Sequence, residues 1–310
     1  MRQKTIGIVG SGVIGASWSA LFLAAGHQII NFDPDPENEA KTNAYIANAW
    51  PSLVKLGLVR DGATPDKITY VSSAADAVRS AGFVQESVPE RLPIKLDTYR
   101  EIEPALPEGV IVATSSSGLL LKDMQDGWTD PSRFILGHPF NPPHLIPLVE
   151  LLGNEKTADD VLDQAAAIYE DAGKETIRVL KEVPAHVANR LQAALWREAI
   201  SLVAEGVASV EDVDKAVTAG PGLRWSVMGP HMLFSLGSGG GGIDTFCERF
   251  GPSFHTWWES MGDVRLTPEV IAMLKKGVDE EEAGRDFNTL TKERDAKLIA
   301  AQIAMKKADF

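Results

Sequence analysis

The stretch "TIGIVGSGVIGAS", residues 5–17, constrains the fold of this chain more than any other segment. A compact β-branched run ends at Gly10. Gly12 and Gly15 follow in G-x-G-x-x-G spacing, and an apolar helical stretch continues until Gly26 stops it. Each glycine has its own physical reason: Gly10 permits a tight turn, Gly12 lets backbone approach a pyrophosphate, and Gly15 lets the helix pack on the strand. The pyrophosphate would rest against the free N–H groups where the helix opens, at Val13 and Ile14. The next strand candidate, "QIINFD" (28–33), ends in Asp33, 21 residues after Gly12. A carboxylate there accepts hydrogen bonds from both ribose hydroxyls and repels a 2′-phosphate. The residues that follow, "PDPENE", are acidic and offer that phosphate no arginine, so NAD is expected rather than NADP. A glycine turn in a sheet that binds no nucleotide would not need strand, helix and acid in register.

The rest of the first half alternates strand and helix patterns. Strand candidates are 83–87, 110–114, 133–137, 148–152 and 176–180, with helices fitting between most of them. Such alternation predicts right-handed βαβ units, a Rossmann-type doubly wound parallel sheet covered on both faces. The strand pattern stops near Pro184. Helices are expected over 185–206, 209–220, 268–282 and 287–306, and "GSGGGG" (237–242) reads as a flexible loop. The expected organisation is therefore α/β: a dinucleotide-binding domain over 1–184 and an all-helical domain over 185–310.

A net charge of −13 disfavours nucleic acid and anionic lipid as partners. No apolar run is long enough for a membrane helix. The N-terminus enters a strand pattern at once, leaving no room for a secretory signal. The one cysteine, Cys247, cannot form an internal disulfide, so a reducing cytoplasm is expected. No metal site is expected.

"GHPFNPPHLIPLVE" (137–150) sets His138 at the carboxyl end of a strand, with prolines at 139, 142 and 143 restricting the loop after it. Open α/β sheets bind ligands at that edge. Hydride transfer to a nicotinamide needs a base for the hydroxyl proton, and histidine titrates in the right range. Glu150 falls on the next apolar strand, a costly place for a carboxylate unless it is paired. A His138–Glu150 hydrogen bond would resolve that cost, fix the imidazole tautomer and stabilise the imidazolium. The other five histidines, at 27, 144, 186, 231 and 255, lack such a setting and read as structural.

The glycine motif, "VQESVPERLPIK", "ATSSSGLL", "GHPFNPPHLIPLVE" and "VANRLQ" occur in the order and spacing of the L-3-hydroxyacyl-CoA dehydrogenase superfamily, which the chain resembles along its whole length. The resemblance implies that His138 is the catalytic base, Glu150 its partner, Ser115 the serine that hydrogen-bonds the substrate oxygen, and Asn189 a residue that helps position the same region. It implies that Glu90 and Lys95 contact the nicotinamide side of the cofactor, and that the helical domain makes a homodimer. Ala113 departs from the pattern, where the acyl-CoA enzymes usually carry asparagine. The residues alone leave other readings open. Ser116 could serve in place of Ser115, Asn189 could bond backbone, and Glu90 and Lys95 could be a solvent-exposed pair.

"GPGLRWSVMGPHMLF" (220–234) departs from the acyl-CoA enzymes and resembles the lambda-crystallin, L-gulonate 3-dehydrogenase and carnitine dehydrogenase branch. A free 3-hydroxy carboxylate needs a cation, and the Arg224 guanidinium, beside Trp225, could grip it bidentately. A surface ion pair is the bland reading of Arg224. CoA would instead need basic groups for its phosphates, and 38–80 offers only Lys41, Lys55, Arg60, Lys67 and Arg79. The rings Trp225, Phe246, Phe250, Phe254, Trp257 and Trp258 could cage a quaternary ammonium, as carnitine requires, or form a dimer core. The expected activity is NAD-dependent oxidation of a short L-3-hydroxy acid, with L-carnitine or a 3-hydroxyacyl-CoA as alternatives. A structural or sensing dinucleotide-binding protein would be expected to have lost the base. A decarboxylating 3-hydroxy acid dehydrogenase would need a lysine where this chain has "ANRLQ".

Overall fold

The computed structural model of the chain describes residues 3–308. Two compact units are present. Among the described residues, one comprises 3–187 together with Leu298–Ile303, and the other comprises Ala188–Lys297 and 304–308. The first unit therefore runs past Pro184. The reason is local: the Val187 N–H donates to Glu150 Oε1 at 2.9 Å, which ties this segment to the sheet.

The first unit is built on strands β1 (Thr5–Val9), β2 (Gln28–Phe32), β3 (Ile68–Tyr70), β4 (Phe83–Glu86), β5 (Val112–Thr114), β6 (Phe134–Pro139), β7 (Leu148–Leu152) and β8 (Glu175–Arg178). They form a single sheet in the order β3-β2-β1-β4-β5-β6-β7-β8. Helices α1 (Val13–Ala24), α2 (Asn38–Lys55), α3 (Ala74–Val78), α4 (Leu92–Ile102), α5 (Leu121–Met124) and α6 (Val161–Asp171) connect them. All neighbouring strands are parallel except β6 and β7, where an all-parallel sheet was expected. Residues 140–147 explain the exception, because a parallel crossover needs about a dozen residues or more. The short edge strand β3 was not legible, since "ITY" is too brief to show a period.

Each face of the sheet carries its own core. On one, α1 is buried from Gly15 to its end, and Trp18 and Phe22 stack against Tyr169, with Phe83 edge-on. A helix apolar on every side requires burial on every side, and α1 obtains it beneath α2. On the other face Tyr99, Trp128 and Phe134 stack as a group. At Gly137 an added Cβ would lie 2.3 Å from the Tyr169 hydroxyl, so a fully buried tyrosine occupies the space a side chain would need.

The second unit contains α7 (Ala188–Ala204), α8 (Val210–Ala219), α9 (Pro221–Trp225), α10 (Pro230–Leu236), α11 (Gly242–Ser260), α12 (Pro268–Glu282) and most of α13 (Phe287–Lys307). Ser209, Thr267 and Asp286 cap α8, α12 and α13 by accepting from the N–H groups of Asp212, Val270 and Thr289. Gly277 lets α12 approach α8, for a Cβ there would meet Val210 at 2.2 Å. Helices α9 to α11 were not expected, because α9 and α10 are only five and seven residues long, and α11 starts inside "GSGGGG" and carries Pro252 in its interior. Trp257, Trp258, Trp196, Leu223 and Val227 are all exposed in this unit.

Gly137→Ala is expected to destabilise the first unit by about 1–3 kcal/mol through overpacking against Tyr169. Thermal unfolding should register this as a Tm lowered by several degrees.

Candidate active site

The carboxyl ends of β1, β2, β4, β5 and β6 share one edge of the sheet, and Gly10, Asp33, Ser87, Ser115 and His138 lie there. Gly10 has φ +89°, and its Cβ would meet the Ser87–Val88 backbone at 2.7 Å. Gly15 would place a Cβ 1.9 Å from the Gly10 carbonyl oxygen. Gly12 differs, since nothing lies within 4 Å of its Cβ direction. The turn is thus closed on the protein side at Gly10 and Gly15 and open at Gly12, the shape a pyrophosphate needs. No side chain caps α1, Val13 at its start is 60% exposed, and Ile14 packs partly into the core. Asp33 accepts the Ser11 N–H at 2.8 Å and that of Asp35 at 3.0 Å, which holds its carboxylate at the mouth of the turn. A cavity of about 120 Å³ opens beside it, lined by Ser11, Asn31, Asp33, Pro36, Asn38 and Tyr70 among others. Lys41, the nearest base in sequence, pairs with Asp35 and Glu37. These residues fit NAD: an uncapped helix start for the pyrophosphate and a carboxylate for the ribose.

Ser115 follows β5, and its hydroxyl oxygen sits in a fixed frame. It accepts from Trp18 Nε1 at 3.2 Å and from Gln85 Nε2 at 2.8 Å, with Ser87 Oγ 2.9 Å away. The Tyr169 hydroxyl donates to Gln85 Oε1, which decides how the buried Gln85 amide faces. Ser116 is committed elsewhere, donating to Glu90 Oε1 at 2.6 Å. The same oxygen accepts the N–H groups of Ser117, Gly118 and Leu119, so Glu90 organises the serine loop. Burial works to raise the Glu90 pKa, but the Ser116 and Gly118 bonds and the Lys95 ammonium outweigh it and hold it low. Lys95 is buried, not solvent-exposed. Its ammonium lies 2.8 Å from Glu86, 3.3 Å from the Thr114 hydroxyl and 3.9 Å from Glu90.

His138 and Glu150 face each other across the antiparallel β6–β7 ladder as register partners. His138 Nδ1 lies 2.8 Å from Glu150 Oε2, and both side chains are buried. The second carboxylate oxygen takes the Val187 N–H. The proline loop between the two strands is pinned from two sides. Ser17 on α1 accepts the His144 N–H and bonds its Nδ1, each at 2.9 Å. Lys174 donates to the carbonyls of Pro143 at 2.6 Å and Ile146 at 2.5 Å, and its ammonium stands 5.1 Å from the Trp18 ring centroid. Burial pulls its pKa down to about 7. Trp18 therefore touches both the loop clamp and Ser115.

Asn189, Arg224 and Trp225 lie in the second unit, Asn189 half-buried in the first turn of α7 and the other two exposed on α9. Arg224 forms no ion pair among the described residues. Phe234, Phe246, Phe250, Phe254, Trp257 and Trp258 pack on one another with centroids 4.8–6.0 Å apart. Trp225 stands outside that set among the described residues. His186 is a site neighbour that sequence reasoning missed: its ring lies 5.3 Å from that of His138. No local motif marks it, because the contact depends on how residues 179–187 fold back over β7.

The family model for the NAD-binding domain of 3-hydroxyacyl-CoA dehydrogenase matches residues 5–183, and that for its C-terminal domain matches 186–282. L-carnitine dehydrogenase of Streptomyces coelicolor is 45% identical over 296 residues, covering 96% of this chain and 93% of the relative. L-carnitine dehydrogenase of Pseudomonas aeruginosa is 40% identical over 304 residues, covering 98% and 94%. Among solved structures, the chain is similar to an NAD+-dependent 5-formyl-3-hydroxy-2-methylpyridine 4-carboxylic acid 5-dehydrogenase, with TM-score 0.83, 28% identity, and coverage of 98% and 99%. It is also similar to (S)-3-hydroxybutyryl-CoA dehydrogenase from Ralstonia eutropha, with TM-score 0.63, 26% identity, and coverage of 79% and 84%. The chain belongs to the 3-hydroxyacyl-CoA dehydrogenase family, and it is an NAD-dependent dehydrogenase acting on a CH–OH group.

Proposed function

We propose that the chain oxidises the 3-hydroxyl of a short, free L-3-hydroxy acid to the 3-keto acid, with L-carnitine as the specific substrate. The buried His138–Glu150 pair at the ligand-binding edge of the sheet carries the chemistry. The relatives named L-carnitine dehydrogenase, aligned nearly end to end, support the choice of acid. When bound, NAD supplies the acceptor for the hydride that leaves C3. Gly10, Gly12, Val13, Ile14 and Gly15 would hold its pyrophosphate, and Asp33 its ribose.

Glu150 accepts only, so His138 Nδ1 carries the hydrogen between them, and Nε2 is left with a lone pair. That lone pair takes the hydroxyl proton as the C3–H bond breaks. The imidazolium so formed is stabilised by the carboxylate already bonded to it. Two N–H donors already approach the Ser115 oxygen, which engages its lone pairs and leaves its own hydrogen to donate. Ser87 receives that hydrogen in the structure described here, and the substrate oxygen would receive it in the complex. Asn189 steadies the same oxygen in this reading, and Arg224 with Trp225 meets the carboxylate end. Glu90 and Lys95 support the serine loop and, through it, the nicotinamide side.

A CoA ester fits less well. Lys41 is paired with Asp35 and Glu37, Arg60 with Asp171, and Arg79 with Asp76, while Lys67 donates to the Gly62 carbonyl. Of the five bases there, only Lys55 and Lys67 are outside an ion pair among the described residues, little positive charge for three phosphate groups. The many exposed tryptophans and aliphatic side chains of the second unit support a homodimer made through that unit, since so much apolar surface is costly to leave in water. The exposed thiol of Cys247 suits a reducing cytoplasm.

His138→Gln should lower kcat with L-carnitine by about 10²–10⁴-fold while leaving NADH binding nearly intact. Loss of NADH binding would mean the histidine has a different task. Asp33→Ser should weaken use of NAD by about tenfold or more and narrow its advantage over NADP, as measured by kcat/KM for each cofactor. Sedimentation at micromolar concentration should give twice the chain mass of 33.5 kDa. Trp257→Asp together with Trp258→Asp should shift it toward a single chain. A panel of L-carnitine, L-3-hydroxybutyrate, L-gulonate and 3-hydroxybutyryl-CoA decides the substrate, and faster turnover of the CoA ester would overturn the preference for a free acid.

A further inference from the structure

His186 is 1% exposed, and neither of its ring nitrogens makes a hydrogen bond of ordinary geometry with a described residue, although the Ser116 backbone lies near enough to favour the charged ring. Buried polar atoms are almost always paired, and an imidazole left bare inside a protein is costly. Its backbone adds to the cost. Ala185 has φ +65° and His186 φ +52°, two successive non-glycine residues in the left-handed region. Strain of this kind persists where surrounding structure enforces it, and it clusters at ligand sites. Here the enforcing contact is the next residue, whose N–H completes the bonding of Glu150. The strained turn thus delivers an unpaired imidazole to within 5.3 Å of the His138 ring.

We infer that His186 is a specificity-determining residue that donates a ring N–H to the carboxylate of the 3-hydroxy acid whose hydroxyl meets His138. This inference rests on the function proposed above. In a 3-hydroxy acid the carbinol carbon and the carboxylate carbon are separated by two C–C bonds of about 1.5 Å each. Two imidazoles whose centres lie 5.3 Å apart are close enough for one small hydroxy acid to touch both. Both ring nitrogens of His186 are shut off from solvent, so the carboxylate must displace the groups that cover them when it binds. The two rings divide the work by their partners. His138 has Glu150 to stabilise a positive charge, and so it is the ring that takes the reaction proton. His186 has no carboxylate bonded to it. Burial, followed by the neighbouring His138, lowers its pKa, against the opposing influence of Glu150, the Ser116 backbone and Glu182. A neutral imidazole still carries one N–H, and the N–H···carboxylate bond is of the stronger, charge-assisted kind.

The test compares L-carnitine with L-carnitinamide, in which the acid is replaced by a neutral amide, on the whole enzyme at saturating NAD. His186→Phe should raise KM for L-carnitine about tenfold or more with kcat changed only a few-fold, and should narrow the wild-type preference for acid over amide several-fold, with Arg224 keeping the remainder. His186→Gln, which keeps an N–H donor, should retain most of that preference, and unchanged NADH affinity should show that both variants are folded. Unchanged KM in His186→Phe would overturn the inference while leaving the dehydrogenase reading intact, as would a loss of kcat alone. If His186→Phe does not fold, the His186→Gln variant decides: a preference lost in spite of the retained donor would also overturn it. Failure of the wild type to oxidise L-carnitine or any free 3-hydroxy acid would instead remove the parent reading.

Discussion

The site depends on one contact, the 2.8 Å hydrogen bond between His138 Nδ1 and Glu150 Oε2. A fully buried carboxylate is tolerable only when both oxygens are bonded, and Glu150 meets that condition with the imidazole on one oxygen and the Val187 N–H on the other. The arrangement follows from the antiparallel turn between β6 and β7. It makes His138 and Glu150 direct partners, so that their side chains leave the same face of the sheet. A slip of one residue would send one of them to the opposite face. The clamps on the intervening loop, Ser17 on His144 and Lys174 on two carbonyls, hold the register where the chemistry requires it.

A second constraint is the crowding beneath the glycine turn. Gly10 and Gly15 are required because protein backbone already occupies the space of their missing side chains, whereas Gly12 faces open space. The neighbouring Ser115 is likewise defined by what surrounds it. Tyr169 orients Gln85, Gln85 and Trp18 occupy the lone pairs of Ser115, and its one hydrogen is given to Ser87. Trp18 also lies under the Lys174 ammonium, so the core side of α1 supports the serine and the proline loop together.

Much of this was legible in the residues. The strands near 5, 28, 83, 112, 134, 148 and 175 announce themselves by compact apolar runs, and the long helices of the second unit by their periodicity and caps. What escaped was short or masked: β3 with three residues, and α9 to α11 beside glycine-rich stretches. In the site, the sequence could not separate Ser115 from Ser116. The bond from Ser116 to Glu90 does so. Lys95 was open to a surface reading, and only the packing of α4 on β4 places its ammonium against Glu86.

By itself the sequence determined the chemistry-bearing residue types and their spacing. Glycines at 10, 12 and 15 with an acid at 33 specify a dinucleotide turn, because those properties belong to single residues and local backbone. The tertiary structure decided which groups meet. The antiparallel pairing of β7, the burial of Lys95 and the approach of His186 to His138 all depend on contacts between segments far apart in the chain or brought together by a fold-back. Periodicity and composition carry no record of such contacts, since they report which way a residue faces and not what it faces.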